Sequence, residues 1–187
     1  IKREKGIELH AAAENILRAQ FGLEEEVDLK TLKPEHRAVF KNGVINIANT
    51  IKENQKKIDP SKEATLMTEV TLYDEVSDTA GSMDVFVGYS DGSVAIYDWK
   101  FVNFKRNKKG IVTGITENKF DSFDIQISDY KRILFERYGV TKFRESRIIP
   151  VDVQYDFETV NGKKRMSSDL SSIAIGKAQS EHLDTIP

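Results

Sequence analysis

Apolar positions along this chain follow a helical period in three stretches and a period of two in the others. In residues 7–21, Ile7, Ala11, Ile16 and Leu17 lie near one stripe, and Gly22 supplies a stop. A second helix is predicted from Pro34, a good first-turn residue, to about residue 57, with Val39, Phe40, Ile45, Ile47 and Ile51 as its core positions. The run Asp59-Pro60-Ser61 breaks it. Residues 64–73 then read as a strand, followed by a polar turn over 74–79. Two further strands, one through Asp84 to Gly88 and one from Ser93 to Tyr97, are joined by Tyr89-Ser90-Asp91-Gly92 as a hairpin. Between residues 119 and 138, Phe120, Phe123, Ile127, Tyr130, Leu134 and Tyr138 fall on a helical stripe that Gly139 closes. Residues 147–157 alternate Ile149, Val151, Val153 and Tyr155 as another strand, whose Pro150 suits an edge or a bulge. Within the tail, residues 170–178 read as a short helix. Helix, helix, three antiparallel strands, helix and strand in this order predict an α/β fold, a mixed central sheet flanked by helices.

Composition narrows the function classes. A length of 187 residues fits one domain and is enough to bury a proper core. A hydrophobic share of 39% beside 31% charged residues describes a soluble globular chain rather than a disordered one. No apolar run reaches membrane-spanning length, and the first residues lack a signal-peptide core, so no membrane partner is expected. The absence of cysteine rules out disulfides, zinc–thiolate sites and iron–sulfur clusters, and agrees with an intracellular, reducing compartment. A formal charge of −2 leaves no global basic footprint, so any nucleic-acid contact must come from local patches. The chain starts at Ile1 rather than methionine, which predicts a processed chain or a domain cut from a longer protein.

The hairpin carries the chemistry. Its first strand brings Asp84, and its second runs from Tyr97 directly into Asp98, Trp99 and Lys100. Alternation puts Asp98 and Lys100 on one face, roughly 6–7 Å apart at Cα. Two carboxylates and a lysine converging at the end of a hairpin are what a metal-dependent phosphodiester hydrolase needs. Carboxylates hold a hard cation, and an ammonium orients or acidifies the attacking water.

Further residues extend the pattern: Gly6-Ile7-Glu8-Leu9-His10 followed by Glu14, then Glu69, Gly81-Ser82-Met83-Asp84, Asp98-Trp99-Lys100 and Gln126-Ile127-Ser128-Asp129-Tyr130. In this order the set resembles the RecB-type exonuclease branch of the PD-(D/E)XK nuclease superfamily, over roughly residues 6–155. The resemblance implies a restriction-endonuclease-like core spanning residues 1–187 as a single domain. Its N-terminal helices would occupy about 6–57, its catalytic sheet and helix about 64–157, and a tail 158–187. It makes Asp84 and Asp98 the metal-binding carboxylates, Lys100 the catalytic lysine, Trp99 a ligand through its backbone carbonyl, and His10 an extra metal ligand. Glu69 matches the acidic residue of the preceding strand, a second-metal or water-mediated ligand. Gln126 and Tyr130 match a Q-x-x-x-Y helix bordering the active site and the DNA path. Implied with these are one or two Mg²⁺ or Mn²⁺ ions and a DNA substrate, single-stranded or with a free end, processed in recombination, repair or replication. A flanking helicase or other domain, a cytoplasmic, nucleoid or organelle-matrix location, and a virus or phage origin all fit the same branch.

Each residue also has a blander explanation. A lone histidine on an amphipathic helix is more often a half-buried polar side chain than a ligand. Asp98 with Lys100 could be a cross-strand ion pair, though the pair ends an apolar run where unpaired charge is costly. Asp84 could be turn chemistry and Glu69 a solvent-facing strand residue, while Tyr130 also completes a core stripe. Lys105, Arg106, Lys108 and Lys109 are a solvated loop by default; just beyond the catalytic strand they become phosphate contacts. Tyr97 and Trp99 could stack on bases, yet their alternation opposite Asp98 favours core packing. Two other functions share the pattern: a viral-type RNA endonuclease, and a non-catalytic nucleic-acid-binding scaffold on the same fold.

Overall fold

Three consecutive alternating segments form an antiparallel meander: β1 (Thr65–Asp74), β2 (Thr79–Gly88) and β3 (Val94–Phe101). The computed structural model describes residues 2–101, 104–109, 112–115 and 120–175. Ahead of the meander stand two helices, α1 (Lys2–Gln20) and α2 (Pro34–Ile58). After it come a short ribbon, β4 (Phe104–Arg106) with β5 (Val112–Ile115), a third helix, α3 (Phe120–Tyr138), and the long hairpin β6 (Phe143–Val160) and β7 (Lys163–Ile175). Five strands make one sheet in the order β1-β2-β3-β6-β7, and the β3–β6 pair is parallel. A parallel pair needs a crossover, and α3 lies in the segment that makes it. The fold is therefore a mixed α/β sheet flanked by helices, as expected.

Burial separates two layers. Leu9, Ala13, Ile16 and Leu17 of α1 and Phe40, Val44, Ala48 and Ile51 of α2 pack on Val85, Val87, Tyr97, Trp99, Ile149 and Val151. Ile127, Tyr130, Ile133 and Leu134 of α3 pack instead on Leu72, Met83 and Ile96. Full burial of each large apolar side chain contributes roughly 1.5–3 kcal/mol, so both layers are anchored by several such groups. Gly22 ends α1 at φ +68, where Leu23 N–H reaches the Arg18 carbonyl at 3.1 Å and Gly22 N–H reaches Ala19 at 3.1 Å. That closure needs a left-handed residue, which glycine adopts without a side-chain clash.

Several sequence expectations need correction. The buried stripe of α1 runs through Leu9, Ala12, Ala13, Ile16 and Leu17, leaving Ile7 62% exposed and Ala11 on the outer side. Val39 is exposed on α2, and Tyr138 is exposed in the last turn of α3. Residues 170–175 are strand, not helix: apolar Ile173 sits opposite Val153 and Ile175 opposite Val151, so pairing on β6 outweighs local preference. Residues 176–178 of that expected helix lie outside the described residues. Nor is Pro150 on an edge strand, since β6 runs between β3 and β7. It lies opposite Lys100, one residue before the described pairing with β7 starts at Val151, so its missing N–H falls at the limit of that ladder. The basic segment expected as a loop is strand through Arg106 and turn over Lys108 and Lys109. Among the described residues, no helix is long and apolar enough to cross a membrane.

One irregularity positions the site. Leu66 packs in the α1/α2 layer, whereas Val70 and Leu72 pack with α3, although residues an even number apart on a strand ordinarily share a face. In β2, Val85 and Val87 belong to the first layer and Met83 to the second. Both strands change faces at the same level, between the pairs Thr68↔Val85 and Val70↔Met83. The intervening residues are Glu69 and Asp84, and Glu69 takes the left-handed φ of +52 that makes the change.

Candidate active site

Glu69, Asp84 and His10 arrive from two strands and one helix. Each offers a ligand atom within 4.8 Å of those of the other two. His10 stands at the border of the buried stripe of α1, with Nδ1 3.8 Å from Asp84 Oδ2. Asp98 joins from β3: its Oδ1 accepts the Asp84 amide at 3.1 Å, and its Oδ2 lies 3.6 Å from Lys100 Nζ. Asp84 Oδ2 in turn accepts the Trp99 amide at 2.8 Å. These bonds begin where the β2–β3 register stops, at Val85↔Tyr97, so side chains take over amides that the ladder leaves unpaired.

Around them opens a cleft of about 470 Å³, lined by His10, Ser82, Asp84, Asp98, Trp99, Lys100, Phe101, Phe123 and Gln126. Lys100 enters it with Nζ bonded to Gln126 Oε1 at 2.8 Å and standing 4.9 Å from the centre of the Phe123 ring. Gln126 Nε2 donates to the Tyr130 hydroxyl at 2.8 Å, and that hydroxyl donates to the Ser82 carbonyl at 2.8 Å. Gly81 makes room: a Cβ there would lie 2.8 Å from Tyr130 Cε1. Glu69 accepts the Ser82 hydroxyl at 3.4 Å, and the His10 ring tilts against Phe101 at 5.1 Å.

Electrostatics fit a cation. Burial and the neighbouring Asp98 carboxylate push the Asp84 carboxyl up to about 7. Burial also raises Asp98, against the pull of Lys100. Glu69 is raised by burial and by the charge of Glu14. His10 moves the other way, below the ordinary histidine value, because burial and then Lys100 disfavour its charged form. It therefore stands beside Asp84 as a neutral nitrogen donor rather than an ion-pair partner. Three crowded acids and one neutral imidazole make a donor set suited to a divalent metal, with the nitrogen favouring Mn²⁺ over an all-oxygen Mg²⁺ site. The chain contains no cysteine, so neither an iron–sulfur cluster nor a zinc–thiolate centre can form.

Most expected site residues thus converge despite their separation along the chain. The set at ligand distance takes Glu69 beside His10 and Asp84, while both oxygens of Asp98 are engaged by Asp84 and Lys100. The ring of Trp99 is buried in the α1/α2 layer with Tyr97, so neither aromatic stacks on a ligand. Tyr130 is buried and meets the cleft through Gln126. Lys105, Arg106 and Lys108 do not line the cleft; they project from the ribbon and turn that follow β3, with Arg106 3.5 Å from the buried Asp152. Phe101 and Phe123 join the site without being singled out as site residues by the sequence pattern, and Ser82 joins it from the Gly81–Asp84 motif with no role assigned there. Their signal is positional: Ser82 stands two residues before Asp84 on β2, and Phe123 lies three residues before Gln126 on one helix.

Neither a family model nor a curated protein matches the chain. Among solved structures, one named "Putative exonuclease" from Eubacterium rectale resembles it. Identity is 14%, the TM-score is 0.35, and the likeness covers 94% of this chain and 60% of that one. At that score the likeness decides neither family nor activity. The chain spans 60% of the length of the structure it resembles.

Proposed function

We propose that this chain is a divalent-metal-dependent nuclease of the PD-(D/E)XK type, in its RecB-like exonuclease branch, hydrolysing phosphodiester bonds of DNA. One observation carries it: His10, Glu69 and Asp84, from α1, β1 and β2, meet within 4.8 Å beside Asp98 and Lys100. Their residue types match those of the family pattern.

His10, Glu69, Asp84 and Asp98, with the Trp99 carbonyl, would hold the cation, and the bond from the Asp84 amide to Asp98 steadies the strand that presents Asp84. A cation bound there supplies Lewis-acid stabilisation of phosphoryl charge and an acidified water. Lys100, fixed by Gln126 and flanked by Asp98, would orient the attacking water. Its ammonium also offsets the negative charge that develops on the non-bridging oxygens. The polar cleft suits a charged backbone, and the basic ribbon beyond β3 offers Lys105, Arg106 and Lys108 to phosphates further along the strand. DNA that is single-stranded or has a free end is the substrate proposed.

The test is a cleavage assay on single-stranded DNA, duplex DNA and RNA with Mn²⁺, Mg²⁺ or EDTA. Metal-dependent cutting of DNA that disappears in Lys100→Ala is expected. Cutting at the wild-type rate by Lys100→Ala would overturn the assignment, and a preference for RNA would replace DNA as the substrate.

A further inference from the structure

The bonds that link Ser82, Tyr130, Gln126 and Lys100 have a fixed direction. A lysine ammonium has donors and no acceptor, and a backbone carbonyl accepts only. Tyr130 spends its single hydroxyl proton on the Ser82 carbonyl, so toward Gln126 it can only accept. The Gln126 amide is thereby oriented from both ends: NH₂ toward Tyr130, carbonyl oxygen toward Lys100. Tyr130 is buried, and its ring fills the space that Gly81 leaves open, so the hydroxyl is held in place.

We propose that Tyr130 is a positioning residue for Lys100, acting by committing the Gln126 amide to present its oxygen. The Ser82 end of the chain lies two residues before Asp84, so the same contact ties the lysine to the strand carrying Asp84. Without the tyrosine hydroxyl, the amide is free to turn its NH₂ toward the ammonium, and Lys100 loses the neutral side-chain acceptor that Gln126 presents to it in the cleft. This rests on Lys100 acting in the proposed reaction, but the orientation can be measured independently.

The experiment combines Tyr130→Phe, Gln126→Glu and their double variant, read by cleavage kinetics and by the NMR signal of the Lys100 ε-methylene. Phenylalanine keeps the ring against Gly81, and thermal melting verifies that each variant folds. In Tyr130→Phe, kcat should fall on the order of tenfold, the scale for losing a hydrogen bond to a charged group, with KM unchanged. The Lys100 signal should move toward that of a solvated lysine. In the Gln126→Glu background, adding Tyr130→Phe should move the Lys100 signal far less, because either carboxylate oxygen accepts from the ammonium without being oriented. An unmoved Lys100 signal in folded Tyr130→Phe would overturn the proposal, as would an equal effect of Tyr130→Phe in both backgrounds. If the wild type cuts no nucleic acid yet its Lys100 signal moves in Tyr130→Phe, the positioning role stands and the nuclease assignment falls.

Discussion

Asp84 and Asp98 each hold the other's strand. The Asp84 amide donates to the Asp98 carboxylate at 3.1 Å, and the amide following Asp98, that of Trp99, donates to the Asp84 carboxylate at 2.8 Å. The ladder between β2 and β3 stops one pair short of them, and the two carboxylates complete it. Their side chains are thus part of the sheet before any cation is considered.

Asp98 is 1% exposed, so its substitution must respect that role. In Asp98→Asn the carbonyl oxygen still accepts the Asp84 amide, and the fold should survive. Cleavage should fall by about 10–100-fold, because the amide brings no negative charge to the cation site or to Lys100. Asp98→Ala leaves a buried amide unpaired and should cost a further ~1–3 kcal/mol of stability. Denaturant melts of the two variants beside their cleavage rates separate these effects; equal stability would contradict the reciprocal bonding.

The raised Asp84 carboxyl makes stability depend on pH and metal. Its folded pKa of about 7 lies above the ordinary value of 3.8, so the folded chain keeps a proton there that the unfolded chain releases. The resulting contribution is fully present below about pH 4 and is lost as pH rises through 7. Metal-free protein should therefore lose Tm over that window, and Asp84→Asn should flatten the slope. Mn²⁺ should raise Tm more at pH 8 than at pH 5.5, because protons compete with the cation for the same carboxylate. A Mn²⁺ shift that is equal at both pH values would count against Asp84 as a ligand.

Glu69 couples strain to function. A side chain at positive φ costs about 1–2 kcal/mol, and nearby Glu14 adds charge repulsion. Glu69→Gly should be at least as stable as wild type in EDTA, by up to about 1 kcal/mol after the entropic cost of glycine. It should bind Mn²⁺ more weakly and cut more slowly. Calorimetric titration with Mn²⁺ decides: unchanged affinity would leave Glu69 a purely structural bend.

The basic ribbon makes a separate prediction. Neutralising Lys105 and Lys108 together, as Lys105→Gln and Lys108→Gln, should weaken binding of single-stranded DNA. The slope of log K against log salt should become shallower by about 0.7 for each phosphate left without a lysine partner. Turnover at saturating DNA should stay near wild type, since neither residue lines the cleft. Fluorescence anisotropy at several salt concentrations measures the slope.

Much of this architecture is legible from residue order. Asp84, Asp98 and Lys100 announce themselves because charge at the end of apolar strands demands a reason, and burial of Tyr97 and Trp99 follows from alternation. His10 is legible only in company, since nothing about one helical histidine distinguishes a ligand from a surface side chain. Glu69 reads as an ordinary strand residue, but its turn to positive φ, which aims its carboxylate at His10 and Asp84, leaves no mark in composition or period. The strand at residues 170–175 escapes the pattern because its serines hide the alternation, and only the partner strand β6 settles it. Ile7 misleads for the opposite reason: it lies on the outer face of α1 between buried Lys5 and Leu9, and Tyr138 is likewise left exposed in the last turn of α3.

The change of faces at Glu69 and Asp84 lets helices from opposite sides of one sheet serve a common cleft, His10 from α1 and Gln126 from α3. The gap between those two side chains is accordingly a tolerance stack, the accumulated thickness of two separately filled interiors. Thinning either interior at a distance, by Leu9→Ala on one side or Ile127→Ala on the other, should misalign the jaws without altering a single residue in contact with substrate.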